Sequence, residues 1–237
     1  MTGPTPQAAL KRRALTSFLW TYSGFAAGRV LFFLAMLVLA RVLVPSEFGL
    51  VAFALALLSY LGTLADLGFG AALVQRADAR RPGIAATAFW IGLAAAIALV
   101  AACWVAAPLL PRVGLDEEIV WVFRVLSLQL LIASLGNVQH YLLAHSLEFK
   151  RLFGPELGSG VAKGVVSVAL ALAGFGVWSI VVGQLAGSVA RTVGLWLASD
   201  WRPTLTIARR AVPELLRFGG AIVAVGILGE AVRNGPA

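Results

Sequence analysis

Residues 35–76, AMLVLARVLVPSEFGLVAFALALLSYLGTLADLGFGAALVQR, decide how the chain is read. Two long apolar segments flank a short polar turn, Pro45-Ser46-Glu47, and one carboxylate, Asp66, interrupts the second segment. An apolar run of about 20 residues matches the hydrocarbon core of a bilayer, so the stretch predicts a transmembrane helical hairpin. A charge inside such a wall is expensive and marks a functional position.

The rest of the chain repeats this pattern. Of its 237 residues 60% are hydrophobic and 13% charged, with a mean hydropathy of +0.90. A soluble domain carries about 25% charged residues, so that class is excluded. In a soluble protein the net charge of +8 would point to nucleic acid. Here the cations stand at the ends of apolar segments, which is membrane topology, and no nucleic-acid partner is expected. Cys103 is the sole cysteine and sits in an apolar run, so neither an internal disulfide nor a thiolate metal site is expected.

Working outward from the hairpin, apolar runs predict an all-α, polytopic integral membrane helix bundle. Six helices are expected at about 14–44, 48–74, 83–110, 119–143, 156–173 and 177–198, with a seventh beginning near Leu215. The corresponding organisation is a cytoplasmic leader (1–13), a six-helix transmembrane lobe (14–198), a cytoplasmic linker (199–214) and the start of a second lobe (215–237). The first apolar run is far longer than the roughly 7–15 residues of a signal-peptide core, so it is read as a retained helix. Pro108 and Pro111 close the third.

Loop charges orient the bundle. A cytoplasmic N-terminus places Lys11, Arg12, Arg13, Arg76, Arg80, Arg81, Lys150, Arg151, Arg202, Arg209, Arg210 and Arg217 inside. The outer loops then hold Arg41 and Arg112 beside Glu47, Asp116, Glu117 and Glu118, satisfying the positive-inside rule. Leu147, Phe149, Leu152 and Phe153 alternate with Lys150 and Arg151, a pattern suited to lying among membrane lipid headgroups.

Residues three and four apart share a helix face, which reveals polar stripes. Ser59, Thr63, Asp66 and Gly70 form one on the second helix, and Arg124, Ser127, Ser134, Asn137 and Tyr141 another on the fourth. Ser159, Lys163 and Ser167 align on the fifth helix, Gln184, Ser188 and Arg191 on the sixth, Tyr22 and Arg29 on the first. The third helix has only Thr87 in its middle and is expected at the periphery. Polar faces in hydrocarbon must meet one another or water, so the stripes predict a hydrated cavity.

The candidate site is therefore cationic, with Arg29, Arg124, Lys163 and Arg191 set against Asp66, and is lined by Ser127, Ser134, Asn137, Tyr141, Ser159, Gln184 and Ser188. Arg124 and Arg191 lie towards helix ends, where lining the cavity and snorkelling to the interface are both open. Asp66 is either a salt-bridge partner for Arg29 or an ion-coupling carboxylate. Glycine pairs Gly24/Gly28, Gly160/Gly164 and Gly183/Gly187 suit close helix packing. His140 and His145 are five apart and do not share a face as zinc ligands would. No Gly-rich phosphate loop followed by lysine occurs, and no cofactor, metal or catalytic residue is expected.

A series of ordered segments resembles one membrane protein family. LARVLVPSEFGLVAFALALL and DLGFGAALVQR in the hairpin, FRVLSLQLLIASLGNV at Phe123–Val138, and LEFKRL at Leu147–Leu152 are its first pieces. GVWSIVVGQLAG at Gly176–Gly187, WRP at Trp201–Pro203 and ELLRFGG at Glu214–Gly220 complete it. Together they are similar to the N-terminal half of polysaccharide and O-antigen flippases, within the multidrug/oligosaccharidyl-lipid/polysaccharide exporter superfamily. The resemblance implies a transporter of two similar lobes around a central cavity, working by alternating access in the bacterial inner membrane.

Its implied substrate is an undecaprenyl diphosphate-linked oligosaccharide, whose pyrophosphate guanidinium groups could grip bidentately. No bond is made or broken, so the implied role is not enzymatic. The final residues, ELLRFGGAIVAVGILGEAVRNG, resemble the opening helix of a second lobe. On this reading the chain is an N-terminal half or fragment, partnered by a C-terminal lobe, a second copy or polysaccharide assembly proteins. Two alternatives stay open: a cation-coupled drug or metabolite exporter, which predicts acidic dominance in the cavity, and a membrane glycosyltransferase or polymerase, which needs a catalytic acidic cluster.

Overall fold

A computed structural model describes residues 30, 33, 35–66, 82–114, 116–146, 148–206 and 208. Residues 35–42 are helical. After them come α1 (Pro45–Asp66), α2 (Pro82–Ala106), a 3-10 helix (Ala107–Val113), α3 (Glu118–His145), α4 (Phe149–Leu172) and α5 (Val177–Ala198). No strand occurs among the described residues. Five of these helical spans are long and apolar enough to cross a membrane, which makes the chain a multi-pass, all-α membrane protein.

Local chemistry explains where the helices start and stop. Helical residues end at Val42, because the residue before a proline is pushed out of the helical region, and Val44 precedes Pro45. Pro45 then opens α1 at the first helical position, where its missing N–H would have had no partner. Glu47 reaches back so that its Oε2 accepts from the Val44 N–H at 3.1 Å, the carboxylate half of a capping box. The supposed turn Pro45-Ser46-Glu47 is thus the first turn of α1.

Pro108 and Pro111 end α2 as expected, but the chain tightens into the 3-10 helix instead of entering a loop. Gly114, at φ +90°, closes it with an N–H to the Pro111 carbonyl at 3.1 Å. The largest departure is α4, which begins at Phe149 and carries Pro155 inside it, seven residues before the position where a helix was expected. The segment around Lys150 and Arg151 is therefore the first turn of a membrane helix. Such a proline is tolerated where a neighbouring helix accommodates its ring. By contrast α5 has the expected limits, and Gly174 and Gly176, both at positive φ, make the turn before it.

The described residues fall into two compact units, one joining those up to Glu47 with Leu143–Asp200, the other Phe48–Leu142 with those from Trp201 onward. In the first, Leu143, Leu152 and Leu195 form a buried cluster against Ala144 and Ala198. Arg151 clasps this end, its Nε 3.1 Å from Glu148 Oε2 and its Nη1 3.0 Å from Asp200 Oδ2. In the second, the chain after α5 is pinned to the start of α2. Trp90 Nε1–H donates to the Thr204 carbonyl at 2.9 Å, and the Ala208 N–H donates to Thr87 Oγ1 at 2.8 Å. Phe89 sits between the Trp90 and Trp201 rings at centroid distances of 5.3 and 6.0 Å.

Candidate functional site

In the first unit, α4 and α5 press together along a seam that small residues make possible. A β carbon at Gly183 would collide with Ser167 Oγ and lie 3.0 Å from the Lys163 carbonyl oxygen. One at Gly187 would lie 3.1 Å from both Lys163 Cβ and the Ser159 carbonyl oxygen, and one at Gly194 only 2.9 Å from Pro155 Cα. The Pro155 ring thus occupies the space Gly194 leaves, which is how α4 accommodates a proline. Close backbone approach through glycine is the usual way membrane helices gain packing, since lipid is as apolar as leucine.

The polar residues of α4 lie along this seam. Ser159, Lys163 and Ser167 recur every four residues and so share the face that meets the α5 glycines. Arg191 of α5 reaches across to Glu156 of α4, Nε to Oε1 at 2.7 Å. The two side chains retain only 27% and 16% of their exposure, so the pair is largely withdrawn from solvent. Lys163 stands two turns from Glu156 on the same face, and Glu156 acts on it electrostatically. Among the described residues, the seam interior carries the cations Lys163 and Arg191 and the carboxylate Glu156. Gln184 is buried and Ser188 half-buried, each one position beyond a seam glycine.

Ser167 Oγ is buried without a hydrogen-bond partner. A hydroxyl left unpaired in an apolar setting costs about 1–3 kcal/mol, so close packing against Gly183 is maintained against a local penalty. The opposite face of α4 differs sharply. There Gly160, Val161, Gly164, Val165, Val168, Ala169 and Leu172 join Ala35 and Val38 around an apolar groove of about 520 Å³. Gly160 and Gly164 thus line an open groove, while Gly183 and Gly187 are the pair that packs against a helix.

In the second unit Arg124 belongs to a different arrangement. Its guanidinium donates to the Trp104 carbonyl through Nε at 3.3 Å and Nη2 at 3.1 Å. The same group lies 5.7 Å from the Trp104 ring centroid and 5.2 Å from that of Trp121. A cation over two indoles and on a last-turn carbonyl is held by three favourable interactions at once. Ser127 and Ser134 donate to the carbonyls of Arg124 at 2.6 Å and Leu131 at 2.7 Å, returning their protons to their own helix. Asn137 and Tyr141 are half-buried, and Tyr141 meets His140 edge to face at 5.5 Å.

Among the expected site residues, the structure brings Ser159, Lys163 and Arg191 to the α4/α5 seam, and Arg124 to the tryptophan pair. Arg29 lies outside the described residues. Asp66 ends α1, and its side chain also lies outside the described residues, as does that of Thr63. Two polar groups had no place in the sequence-based site. Glu156 stood at the expected start of its helix and was assigned no role, although its spacing of three to Ser159 and seven to Lys163 puts it on the same stripe. Gln139, fully buried in α3, lay one helical step off the Arg124 stripe. No group of three or more metal-ligating side chains occurs among the described residues.

Comparison with known proteins gives this geometry a family context. Residues 38–236 match the model of a family described as polysaccharide biosynthesis protein. Succinoglycan biosynthesis transport protein ExoT of Rhizobium meliloti is 30% identical over 203 residues, 85% of this chain and 40% of that protein. Teichuronic acid biosynthesis protein TuaB of Bacillus subtilis is 27% identical, over 65% of this chain and 32% of its own. Lipopolysaccharide biosynthesis protein WzxC of Escherichia coli is 25% identical, over 81% and 39% respectively. The chain thus spans 40% or less of the length of each of these curated relatives. No solved structure matches it.

Proposed function

The chain belongs to the polysaccharide biosynthesis protein family, and from that premise we propose that it translocates a lipid-linked oligosaccharide, carried on undecaprenyl diphosphate, across the bacterial inner membrane. The observation that carries this reading is the presence of two cations, Lys163 and Arg191, beside Glu156 at the α4/α5 seam, in helices long and apolar enough to cross a membrane. Guanidinium and ammonium groups in a water-poor wall favour a compact, multiply charged anion such as a pyrophosphate. A cation-coupled exporter of neutral or cationic compounds would be served by the opposite balance.

In this mechanism the N-terminus is cytoplasmic. Arg29, Lys163 and Arg191 capture the pyrophosphate from the inner leaflet, the glycan enters the hydrated cavity, and the prenyl chain stays in lipid. Residues 14–198 form one lobe, and rocking against a second lobe exposes the sugar on the outer face. No covalent step occurs, so the role is transport and not catalysis. The names of the relatives support polymer biosynthesis as the setting, and one of them names transport.

Cells depending on this protein for polymer export provide the test. Arg29→Ala and Lys163→Ala should each abolish surface polymer and accumulate its lipid-linked precursor, while membrane insertion remains normal. Full export by either variant would remove that residue from the site, and full export by both would overturn the capture mechanism.

A further inference from the structure

Glu156 poses a question that the capture mechanism leaves unanswered. An arginine within a membrane helix bundle is costly without an anion beside it. The same arginine must nevertheless be available to an anionic ligand. Arg191 is the only charged residue of α5, and in this structure its Nε is met at 2.7 Å by Glu156 Oε1 from α4. The carboxylate therefore stands where a ligand's phosphate oxygen would stand, with the same charge-assisted hydrogen bond.

We propose that Glu156 is a resident counter-anion of the site: it neutralises Arg191 while the site is empty and is displaced when an anionic phosphate group of the ligand takes its place. This rests on the reading of the seam as a phosphate-capturing site. Three features support it. The pair is withdrawn from solvent yet keeps 27% and 16% of its exposure, so an incoming anion can reach it. The displaced carboxylate has another cation on its own helix face, Lys163, two turns away. The seam also offers a phosphate group two cations, Arg191 and Lys163, one from each of its helices. A permanent structural pair needs neither the second cation nor the access. Glu156 is thus a positioning residue that sets the threshold for binding, and Arg191 is the group that touches the ligand.

Farnesyl diphosphate, a short prenyl diphosphate, serves as the probe, titrated against the full chain in lipid nanodiscs with farnesol as the uncharged control. Glu156→Gln keeps the side-chain shape and an acceptor for Arg191 Nε but removes the competing charge. It should tighten diphosphate binding roughly tenfold, about the worth of one charge-assisted contact. Arg191→Gln should abolish binding, and the double variant should resemble Arg191→Gln. If Glu156→Gln does not fold, Glu156→Asp, which shortens the reach to Arg191 while keeping the charge, should tighten binding to a smaller degree. A purely structural pair predicts a lower melting temperature with unchanged or weaker binding. Should the unsubstituted chain bind the probe and Glu156→Gln bind it no more tightly, displacement is overturned while phosphate capture stands. Failure of every form to bind overturns both.

Discussion

Substituting alanine at Gly194 tests the α4/α5 seam on which the site depends. The new β carbon would lie 2.9 Å from Pro155 Cα, 3.1 Å from its Cβ and 3.2 Å from its Cγ. These are backbone and ring atoms, so no rotamer change relieves the contact. Restoring ordinary separation, 3.4 Å or more, requires the helices to part by about 0.5 Å, enough to forfeit roughly a quarter of each dispersion contact near the crossing. Overpacking of this kind costs about 1–3 kcal/mol. Alanine regains up to about 1 kcal/mol through its higher helix propensity, leaving a net loss near 1–2 kcal/mol. Gly158→Ala is the internal control: on the same seam's partner helix its β carbon meets nothing within 4 Å, and only the propensity gain remains. Equilibrium unfolding in mixed micelles, titrated with sodium dodecyl sulfate and followed by tryptophan fluorescence, reads both. Equal stability of Gly194→Ala and Gly158→Ala would refute the close approach of α4 and α5.

Removing the unpaired hydroxyl with Ser167→Ala should leave stability unchanged or raise it by about 1 kcal/mol in the same assay, and should partly rescue Gly183→Ala, whose β carbon meets that hydroxyl. Arg191→Ala leaves Glu156 without its partner in a largely buried setting and should destabilise by up to about 3 kcal/mol, with much of the loss recovered in Glu156→Gln/Arg191→Gln. Arg124→Leu should cost about 1–3 kcal/mol and shift tryptophan emission, because the Trp104 carbonyl loses its donor and both indoles lose their cation.

Much of this architecture was legible because membrane helices are written in long apolar runs. Val177–Ala198 has no internal proline, opens after Gly176 and stops before Ser199, so its limits could be read directly. Phe149–Leu172 could not, for a physical reason. Gly154-Pro155 reads as a loop in isolation, and only the cradle that Gly194 provides lets a helix continue through it. That misplacement also hid Glu156. Placed at the first position of the expected helix, it was left off the polar stripe, whereas inside a helix it falls on the Lys163 stripe and pairs with Arg191.

Arg124 illustrates the converse. Its periodicity with Ser127 and Ser134 is real, but periodicity assigns a face and not a partner. The Trp104 carbonyl comes from another helix, 20 positions earlier, and nothing local announces it.

Transport of a prenyl diphosphate-linked sugar past Lys163 and Arg191 requires that the lipid change leaflets. Its most direct test is a leaflet-exchange measurement. Liposomes carry a fluorescent polyprenyl diphosphate oligosaccharide in both leaflets, with and without the reconstituted protein, and dithionite quenches only the label facing out. Quenching should extend from the outer-leaflet share to nearly all of the label when protein is present, and should return to the outer-leaflet share with Lys163→Ala/Arg191→Ala. Protection of the inner leaflet that is the same with and without protein, or exchange that is untouched by the double substitution, would contradict it.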